Sequence, residues 1–252
     1  MPRSEYQSDA ELARELATEA GEALLEVRTR GASWYPDALR DEGDRVAHEL
    51  LAARLAALRP RDGLRSEEAA DSADRHTADR VWIVDPLDGT REFGERGRDD
   101  WAVHVALWER GELVAGAVAL PALGETFGTD KPPALAPRNG RVRFVVSRNR
   151  RPRFVSELAA RFDAELVPMG SAGAKVMAVV RGDVDAYLHS GGQYEWDSAA
   201  PVAVATATGL HAARLDGSPL RYNRSDPWLP DLFVCHPTLA EPLQAALSDT
   251  RS

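Results

Sequence analysis

Two stretches near the start of the chain repeat apolar residues at helical spacing. From Ser8 to about Arg28 the apolar side chains recur at every third or fourth position, behind a serine that can cap a helix. The segment from Asp44 to Leu58 shows the same pattern. The sequence therefore predicts two amphipathic helices before the first strand.

The period then changes to that of β-strands. Residues 81–84 (VWIV) form an apolar run that Pro86 ends. Residues 101–108 alternate, a Glu-Arg-Gly turn follows, and residues 112–119 are again mostly apolar. This pattern predicts one buried strand followed by a β-hairpin.

A Pro-rich segment, KPPALAPR at residues 131–138, predicts a junction between two halves. Residues 1–130 are expected to form an N-terminal α+β subdomain and residues 139–252 a C-terminal α/β subdomain, because strands and helices alternate after the junction. The predicted elements of the second half are a strand at 142–146, helices at 152–162 and 171–181, a strand at 184–188, a helix beginning at Asp197 or Ser198, and a final strand and helix.

Composition and charge exclude several classes of protein. With 252 residues, 44% hydrophobic and 28% charged, the chain has a globular composition and not that of a disordered or collagenous protein. A net charge of −9 disfavours a nucleic-acid polymer or an anionic membrane as partner. Cys235 is the single cysteine, which excludes a disulfide framework and favours a reducing cytoplasm.

Neither an export signal nor a membrane span is predicted. The N-terminal segment has no basic stretch followed by an apolar one. The longest mostly apolar stretch, Val114 to Leu123, is too short to cross a bilayer of about 30 Å. We therefore expect a soluble cytoplasmic protein.

Carboxylates gather at the end of the predicted strand 81–84. The segment 85–90 (DPLDGT) follows it directly, and the pair Glu67-Glu68 lies in a preceding loop. Asp85 and Asp88 would repel each other and lose hydration at the rim of the core, so a cation between them is favoured. Oxygen ligands favour Mg²⁺ over Zn²⁺. The alternative is a turn in which the two aspartates cap local N–H groups.

Gly89 and Thr90 add a candidate site for phosphate. Glycine allows a ligand to approach the backbone closely, and threonine offers a hydroxyl where a helix can start. Two metal ions about 3.5–4 Å apart beside an anion site are typical of phosphate ester hydrolysis. The segment 170–175 (GSAGAK) superficially suggests a phosphate loop but lacks the required spacing.

Three motifs together resemble the signature of the inositol monophosphatase superfamily of Mg²⁺-dependent, lithium-sensitive phosphomonoesterases. They are Glu67-Glu68, DPLDGT at 85–90 and WDSAA at 196–200, and the resemblance covers roughly residues 44–205. It implies a layered α-β-α-β-α fold of the α/β (α+β) class, with the site between two subdomains. It also implies two or three Mg²⁺ ions and a small phosphate ester as partner, with homodimerisation left open.

The resemblance also implies roles for individual residues. Asp44 and Thr90 would form a dyad that orients the attacking water, and Glu68 would be either a partner of the site or a surface residue. The metal ligands would be carboxylates and one backbone carbonyl. They are Glu67, Asp85, the carbonyl of Leu87, Asp88 and Asp197.

Two of these carboxylates have an alternative role. Asp44 could cap the second predicted helix, and Asp197 could cap the helix that begins near it, with Pro201 in its first turn. A capping carboxylate can also face a metal ion, so both roles can hold together.

Within the superfamily, the resemblance is strongest to the 3′(2′),5′-bisphosphate nucleotidases. Lys175 falls where those enzymes have a phosphate-binding lysine, and residues 146–150 (VSRNR) resemble their nucleotide loop. The expected reaction is removal of the 3′-phosphate of adenosine 3′,5′-bisphosphate, which protects sulfate assimilation from a by-product. The expected substrate pocket comprises Asp88, Gly89, Thr90, Ser147, Arg148, Arg150, Ser171, Lys175, His189 and Asp197.

Other functions remain open at this point. An inositol-1-phosphate or fructose-1,6-bisphosphate phosphatase would use a related catalytic centre, although the loop 189–194 (HSGGQY) lacks the acidic residue of inositol phosphatases. Ser66 and the segment 36–41 also depart from the family pattern, which bears on one metal position. A catalytically silent nucleotide or metal sensor is the alternative from another class.

Overall fold

The computed structural model describes residues 7–70, 75, 77–149 and 152–249. Helices and strands alternate along most of this part of the chain. In order they are α1 (Asp9–Arg30), α2 (Pro36–Leu58), β1 (Gly63–Ser66), β2 (Arg80–Asp88), α3 (Thr90–Gly94), β3 (Ala102–Glu109), β4 (Glu112–Leu120), β5 (Glu125–Gly128), β6 (Arg143–Ser147), α4 (Arg153–Arg161), β7 (Glu165–Met169), α5 (Ala172–Val180), β8 (Ala186–Tyr194), α6 (Glu195–Thr208), β9 (His211–Ala213), β10 (Trp228–Cys235) and α7 (Pro237–Asp249).

The first helix begins where the sequence predicts it. The Ser8 hydroxyl accepts the N–H of Glu11 at 3.2 Å, and the Glu11 carboxylate accepts the N–H of Ser8 at 3.1 Å. This reciprocal cap satisfies two N–H groups that the helix leaves unpaired. The apolar stripe that includes Leu12 and Leu16 is buried, which confirms α1 as an amphipathic helix.

The second helix begins earlier than predicted. It starts at Pro36, whose fixed φ suits the first helical position, although the residues that follow carry little apolar periodicity. Asp44 therefore lies well inside α2 and does not cap it. The capping alternative for Asp44 is wrong, and its side chain is available for the site.

The first sheet has the strand order β1-β2-β3-β4-β5, with β1 parallel to β2 and the other pairs antiparallel. The predicted hairpin is confirmed as β3 and β4, which pair from Val103 to Glu109. The strand β2 continues past its apolar run to Asp88. Since Pro86 has no N–H to donate, the β2–β3 register shifts between Asp85 and Asp88.

The second sheet has the order β7-β6-β8-β10-β9. Here β8 extends beyond its predicted end to Tyr194, with Gly191 and Gly192 at φ values of 95° and 90°. The helix α6 begins at Glu195, so Pro201 lies in its second turn and not its first, which corrects the position predicted for that proline. Three predicted segments, 142–146, 152–162 and 171–181, correspond to β6, α4 and α5.

Apolar clusters arrange the elements in five layers. Trp82 and Val84 of β2 pack with α1 and α2, whereas Val81 and Ile83 point to the opposite face and pack with α5 and α6. The same α5 and α6 cluster includes Val145 of the second sheet. The helices α4 and α7 cover the far face of that sheet. The α-β-α-β-α fold is confirmed.

The division into two subdomains stays a prediction. Residues 132–139 have no helix or strand and join the two sheets. The cluster around α5 and α6, however, is shared by both sheets, so one apolar core crosses the proposed boundary. No helix in the described ranges is long and apolar enough to cross a membrane.

Candidate active site

Three aspartates from two layers meet in one cluster. Asp85 and Asp88 end β2, and Asp197 lies in the first turn of α6. One carboxylate oxygen from each lies within 4.8 Å of the others. The apolar run before Asp85 buries the strand end, where Asp85 is 1% exposed and Asp88 8% exposed. The fold thus places three acidic groups in a poorly hydrated space.

Asp88 is held firmly by hydrogen-bond donors. Its Oδ2 accepts from the Ser171 hydroxyl at 2.5 Å and from the Gly173 N–H at 2.6 Å, both at the start of α5. The His104 Nε2 lies 3.3 Å away. Burial opposes ionisation, but His104, Ser171 and Lys175 stabilise the carboxylate and hold the pKa of Asp88 below its usual range. Asp88 therefore stays ionised in a fixed orientation.

The other carboxylates repel each other. Burial and the charge of Asp88 raise the pKa of Asp85 well above its usual value. Burial and Asp88 likewise raise the pKa of Asp197 to about 6. Loss of hydration and the charge of Asp197 raise the pKa of Glu67 to about 7, and Glu67 lies close enough to Asp85 to share a hydrogen bond. These pKa shifts come from burial first and from repulsion between the carboxylates second.

The cluster fits a hard divalent cation. Its three converging ligand atoms are carboxylate oxygens, which suit Mg²⁺, Ca²⁺ or Mn²⁺ better than Zn²⁺. A cation would relieve the repulsion that raises the pKa values of Asp85 and Asp197. Asp197 also accepts the N–H of Tyr194 at 2.6 Å, so it closes the first turn of α6 from the third helical position while facing the cluster.

Asp44 and Thr90 lie side by side, as the resemblance implied. Burial, and after it the charge of Glu68, raises the pKa of Asp44 to about 7, while a hydrogen bond with Thr90 opposes the rise. The Thr90 hydroxyl donates to the Leu87 carbonyl at 3.0 Å. The structure therefore brings Asp44, Thr90, Glu68 and the Leu87 carbonyl together, although their roles stay predictions.

Gly89 makes the turn between β2 and α3 possible. Its φ of 87° lies in the left-handed region, and a Cβ there would meet the Ser171 Cβ at 3.0 Å. The turn brings Thr90 beside the cluster and leaves room for α5 to approach. A larger residue at this position would strain the backbone and press against Ser171 at the start of α5.

The predicted substrate residues differ in their surroundings. Arg148 forms ion pairs with Glu92 at 2.6 Å and with Glu95 at 2.5 Å, so its charge is largely neutralised against α3. Ser147 at the end of β6 accepts the N–H of Asn149 at 3.3 Å. The His189 Nε2 lies 2.9 Å from the carbonyl of Gly192. Substrate contacts by these residues stay predictions, and Arg150 lies outside the described residues.

Lys175 is buried and does not extend from its helix into solvent. The residue is 5% exposed. Its ammonium donates to the carbonyls of Gly170 and Ser171 at 3.1 and 2.6 Å and lies 5.2 Å from the centre of the Tyr187 ring. Burial lowers the pKa of Lys175, and Asp88 opposes that shift. The lysine lies beneath the turn that holds Asp88.

His104 is a site residue that sequence reasoning missed. It is fully buried in β3, and its Nδ1 lies 3.0 Å from the carbonyl of Trp196, next to Asp197. Its Nε2 faces Asp88, so one imidazole touches the segments that carry both aspartates. The signal in the sequence is a lone imidazole in an otherwise apolar strand, opposite Asp85 in the β2–β3 register.

The layered fold and the cluster of carboxylate oxygens are those of a family of metal-dependent phosphatases. A family model matches residues 5–248, and the chain belongs to the inositol monophosphatase family. This membership confirms the resemblance drawn from DPLDGT and the later Trp-Asp motif.

Curated relatives include enzymes that act on a nucleotide. A 3′-phosphoadenosine 5′-phosphate phosphatase of Mycobacterium leprae (strain TN) is 52% identical over 254 residues, covering 94% of this chain and 94% of that protein. The 3′(2′),5′-bisphosphate nucleotidase CysQ of Escherichia coli (strain K12) is 29% identical over 233 residues, covering 85% of this chain and 94% of that protein.

Solved structures agree on the fold. CysQ from Bacteroides thetaiotaomicron has a TM-score of 0.79 at 27% identity, covering 92% of this chain and 98% of that chain. Inositol monophosphatase II from Staphylococcus aureus MSSA476 also reaches a TM-score of 0.79, at 18% identity and with 93% of each chain covered. The second likeness shows the fold alone.

Proposed function

We propose that the chain is a Mg²⁺-dependent 3′(2′),5′-bisphosphate nucleotidase. It would hydrolyse the 3′-phosphate of adenosine 3′,5′-bisphosphate to give AMP and phosphate. The observation that carries the chemistry is the buried cluster of carboxylate oxygens from Asp85, Asp88 and Asp197. The choice of substrate is supported by a 52% identical relative that is named for this nucleotide.

The chain's carboxylates would hold the metal ions. The proposed ligands are Glu67, Asp85, Asp88 and Asp197, with the Leu87 carbonyl as a fifth. When bound, Mg²⁺ would supply Lewis-acid stabilisation of the charge on phosphate and favour deprotonation of water. Asp88 needs no reorganisation to take part, because Ser171 and Gly173 already fix its orientation.

Asp44 and Thr90 would orient the attacking water. The Thr90 hydroxyl can donate its one proton either to the Leu87 carbonyl or to Asp44, and in both cases its oxygen can accept a hydrogen bond from water. The neighbouring Asp44 would accept a second hydrogen bond when ionised. Together these two acceptors would direct a lone pair of the water towards phosphorus.

Lys175 would help to bind the phosphate that is not cleaved. An ammonium has three N–H groups, and two are donated to the carbonyls of Gly170 and Ser171. The third would contact a phosphate oxygen that reaches the start of α5. This contact would favour a bisphosphate over a monophosphate substrate without joining the chemistry.

The remaining parts of the proposal concern the cell. A cytoplasmic location fits the single, buried thiol of Cys235. We place the reaction beside sulfate assimilation, where it would remove an inhibitory by-product, and we expect Li⁺ to inhibit by replacing one Mg²⁺.

A substrate panel tests the proposal. Phosphate release from adenosine 3′,5′-bisphosphate, inositol-1-phosphate and fructose-1,6-bisphosphate is measured with Mg²⁺ and again after EDTA treatment. We expect Mg²⁺-dependent release with the highest kcat/KM for the nucleotide. A higher kcat/KM for inositol-1-phosphate would refute the substrate. Binding of the nucleotide without turnover would identify a sensor.

A further inference from the structure

Arg65 and Glu195 form a buried ion pair between the two halves of the chain. The Arg65 Nη1 lies 2.7 Å from the Glu195 Oε2, and the two side chains are 4% and 0% exposed. Arg65 belongs to β1 of the first sheet, whereas Glu195 is the first residue of α6. The pair therefore joins the first sheet directly to the central helix layer.

Backbone groups hold the rest of the Glu195 carboxylate. The N–H groups of Asn223 and Arg224 donate to it at 2.9 and 2.8 Å. Arg65 also donates to the Arg224 carbonyl at 2.8 Å, and the fully buried Arg75 donates to the Asn223 side chain at 2.7 Å. Both charges of the pair are thus hydrogen-bonded, which offsets part of the cost of burying them.

Each member of the pair lies two residues before a proposed metal ligand. Arg65 precedes Glu67, and Glu195 precedes Asp197. Glu67 follows the end of β1, and Asp197 lies in the first turn of α6. The ion pair consequently fixes the two segments that must approach each other for these carboxylates to share a cation.

An ion pair suits this position better than an apolar contact. For stability alone, an apolar pair of similar volume is often as good or better. Charge-assisted hydrogen bonds, however, have narrow ranges of length and angle, whereas apolar side chains can slide past each other. A buried Arg–Glu pair therefore defines a distance between two elements.

We propose that Arg65 and Glu195 are positioning residues that set the separation of Glu67 from Asp197 and hence the affinity for a divalent cation. The inference rests on the proposed function, because it assumes that these two carboxylates bind a metal ion. Both side chains are buried and paired with each other, so they would act through the backbone segments that follow them.

The test separates position from stability. Three variants are compared with the wild type, namely Arg65→Lys, Arg65→Met and the double variant Arg65→Met/Glu195→Leu. Mg²⁺ binding to EDTA-treated protein is measured by titration calorimetry, and stability is measured by urea unfolding. The double variant removes both charges, so it guards against misfolding from one unpaired charge. Arg65→Lys keeps the positive charge, so it provides a folded variant for the test even if the other two variants do not fold.

We expect the single variant Arg65→Met to lose both stability and Mg²⁺ affinity. The double variant should recover only part of the stability, because the N–H groups of Asn223 and Arg224 lose their acceptor, while its Mg²⁺ dissociation constant stays about 10–100-fold above that of the wild type. At saturating Mg²⁺ its kcat should return close to the wild-type value, because every proposed ligand is still present. Arg65→Lys should fold and bind Mg²⁺ more weakly than the wild type.

Arg214→Met is the matched control. Arg214 forms an ion pair with Asp231 at 2.7 Å, with side chains 19% and 11% exposed, in the second sheet. It should lower stability without changing the Mg²⁺ dissociation constant. Wild-type Mg²⁺ affinity in the folded Arg65 variants would overturn this inference but not the proposed function. An equal loss of Mg²⁺ affinity in Arg214→Met would do the same. A wild type that neither binds Mg²⁺ nor needs it for turnover would overturn the proposed function as well.

Discussion

Asp88 differs from the other proposed ligands because two donors and an imidazole meet one oxygen of its carboxylate. Ser171 and Gly173 donate to the same oxygen, and His104 faces it. Such supporting hydrogen bonds fix a ligand's orientation and affect metal affinity nearly as strongly as the ligand itself. At the scale of single residues, Asp88 and its support are therefore the most sensitive point of the site.

Asp88→Asn should lower Mg²⁺ affinity about 10–100-fold or more and reduce turnover with it. The substitution keeps the shape of the side chain but removes its charge as a ligand. If the amide NH₂ faced Ser171, two hydrogen-bond donors would point at each other. Phosphate release measured against Mg²⁺ concentration checks this prediction. Asp37→Asn is the control, since that side chain is 89% exposed and should leave the curve unchanged. Wild-type Mg²⁺ dependence in Asp88→Asn would contradict the assignment.

Lys175→Met should reduce kcat/KM for adenosine 3′,5′-bisphosphate more than kcat/KM for inositol-1-phosphate, which would lose only the support that Lys175 gives to Asp88. Methionine fills most of the buried volume but removes a charge-assisted contact of about 1.5–3 kcal/mol. Both substrates are measured on both proteins. An equal loss on the two substrates would instead mean that Lys175 acts by holding the turn at Gly170 and Ser171, and not by binding phosphate.

At the scale of elements, α5 fits against β3 at a place where only glycine leaves enough space. A Cβ at Gly173 would lie 2.0 Å from the His104 Nε2. Gly173→Ala should therefore destabilise the protein by about 1–3 kcal/mol, because overpacking outweighs the gain of about 1 kcal/mol in helix propensity. Urea unfolding measures the change. Gly173→Ala should cost less stability in a His104→Ala background than in the wild type, and an undiminished stability in Gly173→Ala would contradict the packing argument.

The start of α1 is tied to β2 by a group of ion pairs. The Asp9 carboxylate accepts hydrogen bonds from Arg59 and from Arg80, each at 2.8 Å. Burial raises the pKa of Asp9, but the two arginines lower it by more, so the pKa lies below 3.8. Because the pKa is lower in the folded state, the stabilisation is complete above about pH 4 and is lost as the pH falls through the native pKa.

Asp9→Asn should therefore cost about 1–2 kcal/mol at pH 7, and the difference from wild type should shrink as the pH falls below 3.8. Urea unfolding at a series of pH values checks this. Asp163→Asn is the control, since its side chain is 87% exposed and asparagine tolerates the φ of 47° found there. A pH-independent difference between Asp9→Asn and wild type would contradict the assignment of the ion pairs.

At the scale of the whole molecule, the proposed ligands come from separate layers. Glu67, Asp85 and Asp88 belong to the first sheet and its loops, whereas Asp197 belongs to the central helices. A cation bound among them would stabilise the folded state by an amount that rises with the logarithm of its concentration above the dissociation constant. The cluster thereby couples metal binding to the packing of sheet against helix.

Mg²⁺ should raise the temperature at which half of the protein is unfolded. When the Mg²⁺ concentration is 100 times the dissociation constant, the free energy of unfolding should rise by about 2.7 kcal/mol. The midpoint is measured by scanning calorimetry over a series of Mg²⁺ concentrations. Asp88→Asn should shift this response to higher Mg²⁺. An Mg²⁺-independent midpoint in the wild type would contradict binding between the layers.

The sequence by itself determined the local elements and the chemical type of the site. The stripes of α1 and the alternation of β3 and β4 follow from side-chain periods of 3.6 and 2 residues, which a folded segment must obey wherever it lies. The position of the acidic pair before Gly89 could also be predicted from local sequence, because the pair directly follows the apolar run of a buried strand. Short strands carry too few residues for a period to emerge, and β1, β5, β7 and β9 escaped prediction for that reason.

Tertiary structure decided which distant residues meet. A period records that a face is buried but not what covers it, so nothing in the spacing of residues placed His104 against Asp88 or joined Arg65 to Glu195. The burial of Lys175 depends in the same way on the sheet that covers α5. Contacts between residues far apart in the chain are fixed only when whole layers pack, and those contacts set the geometry of the site.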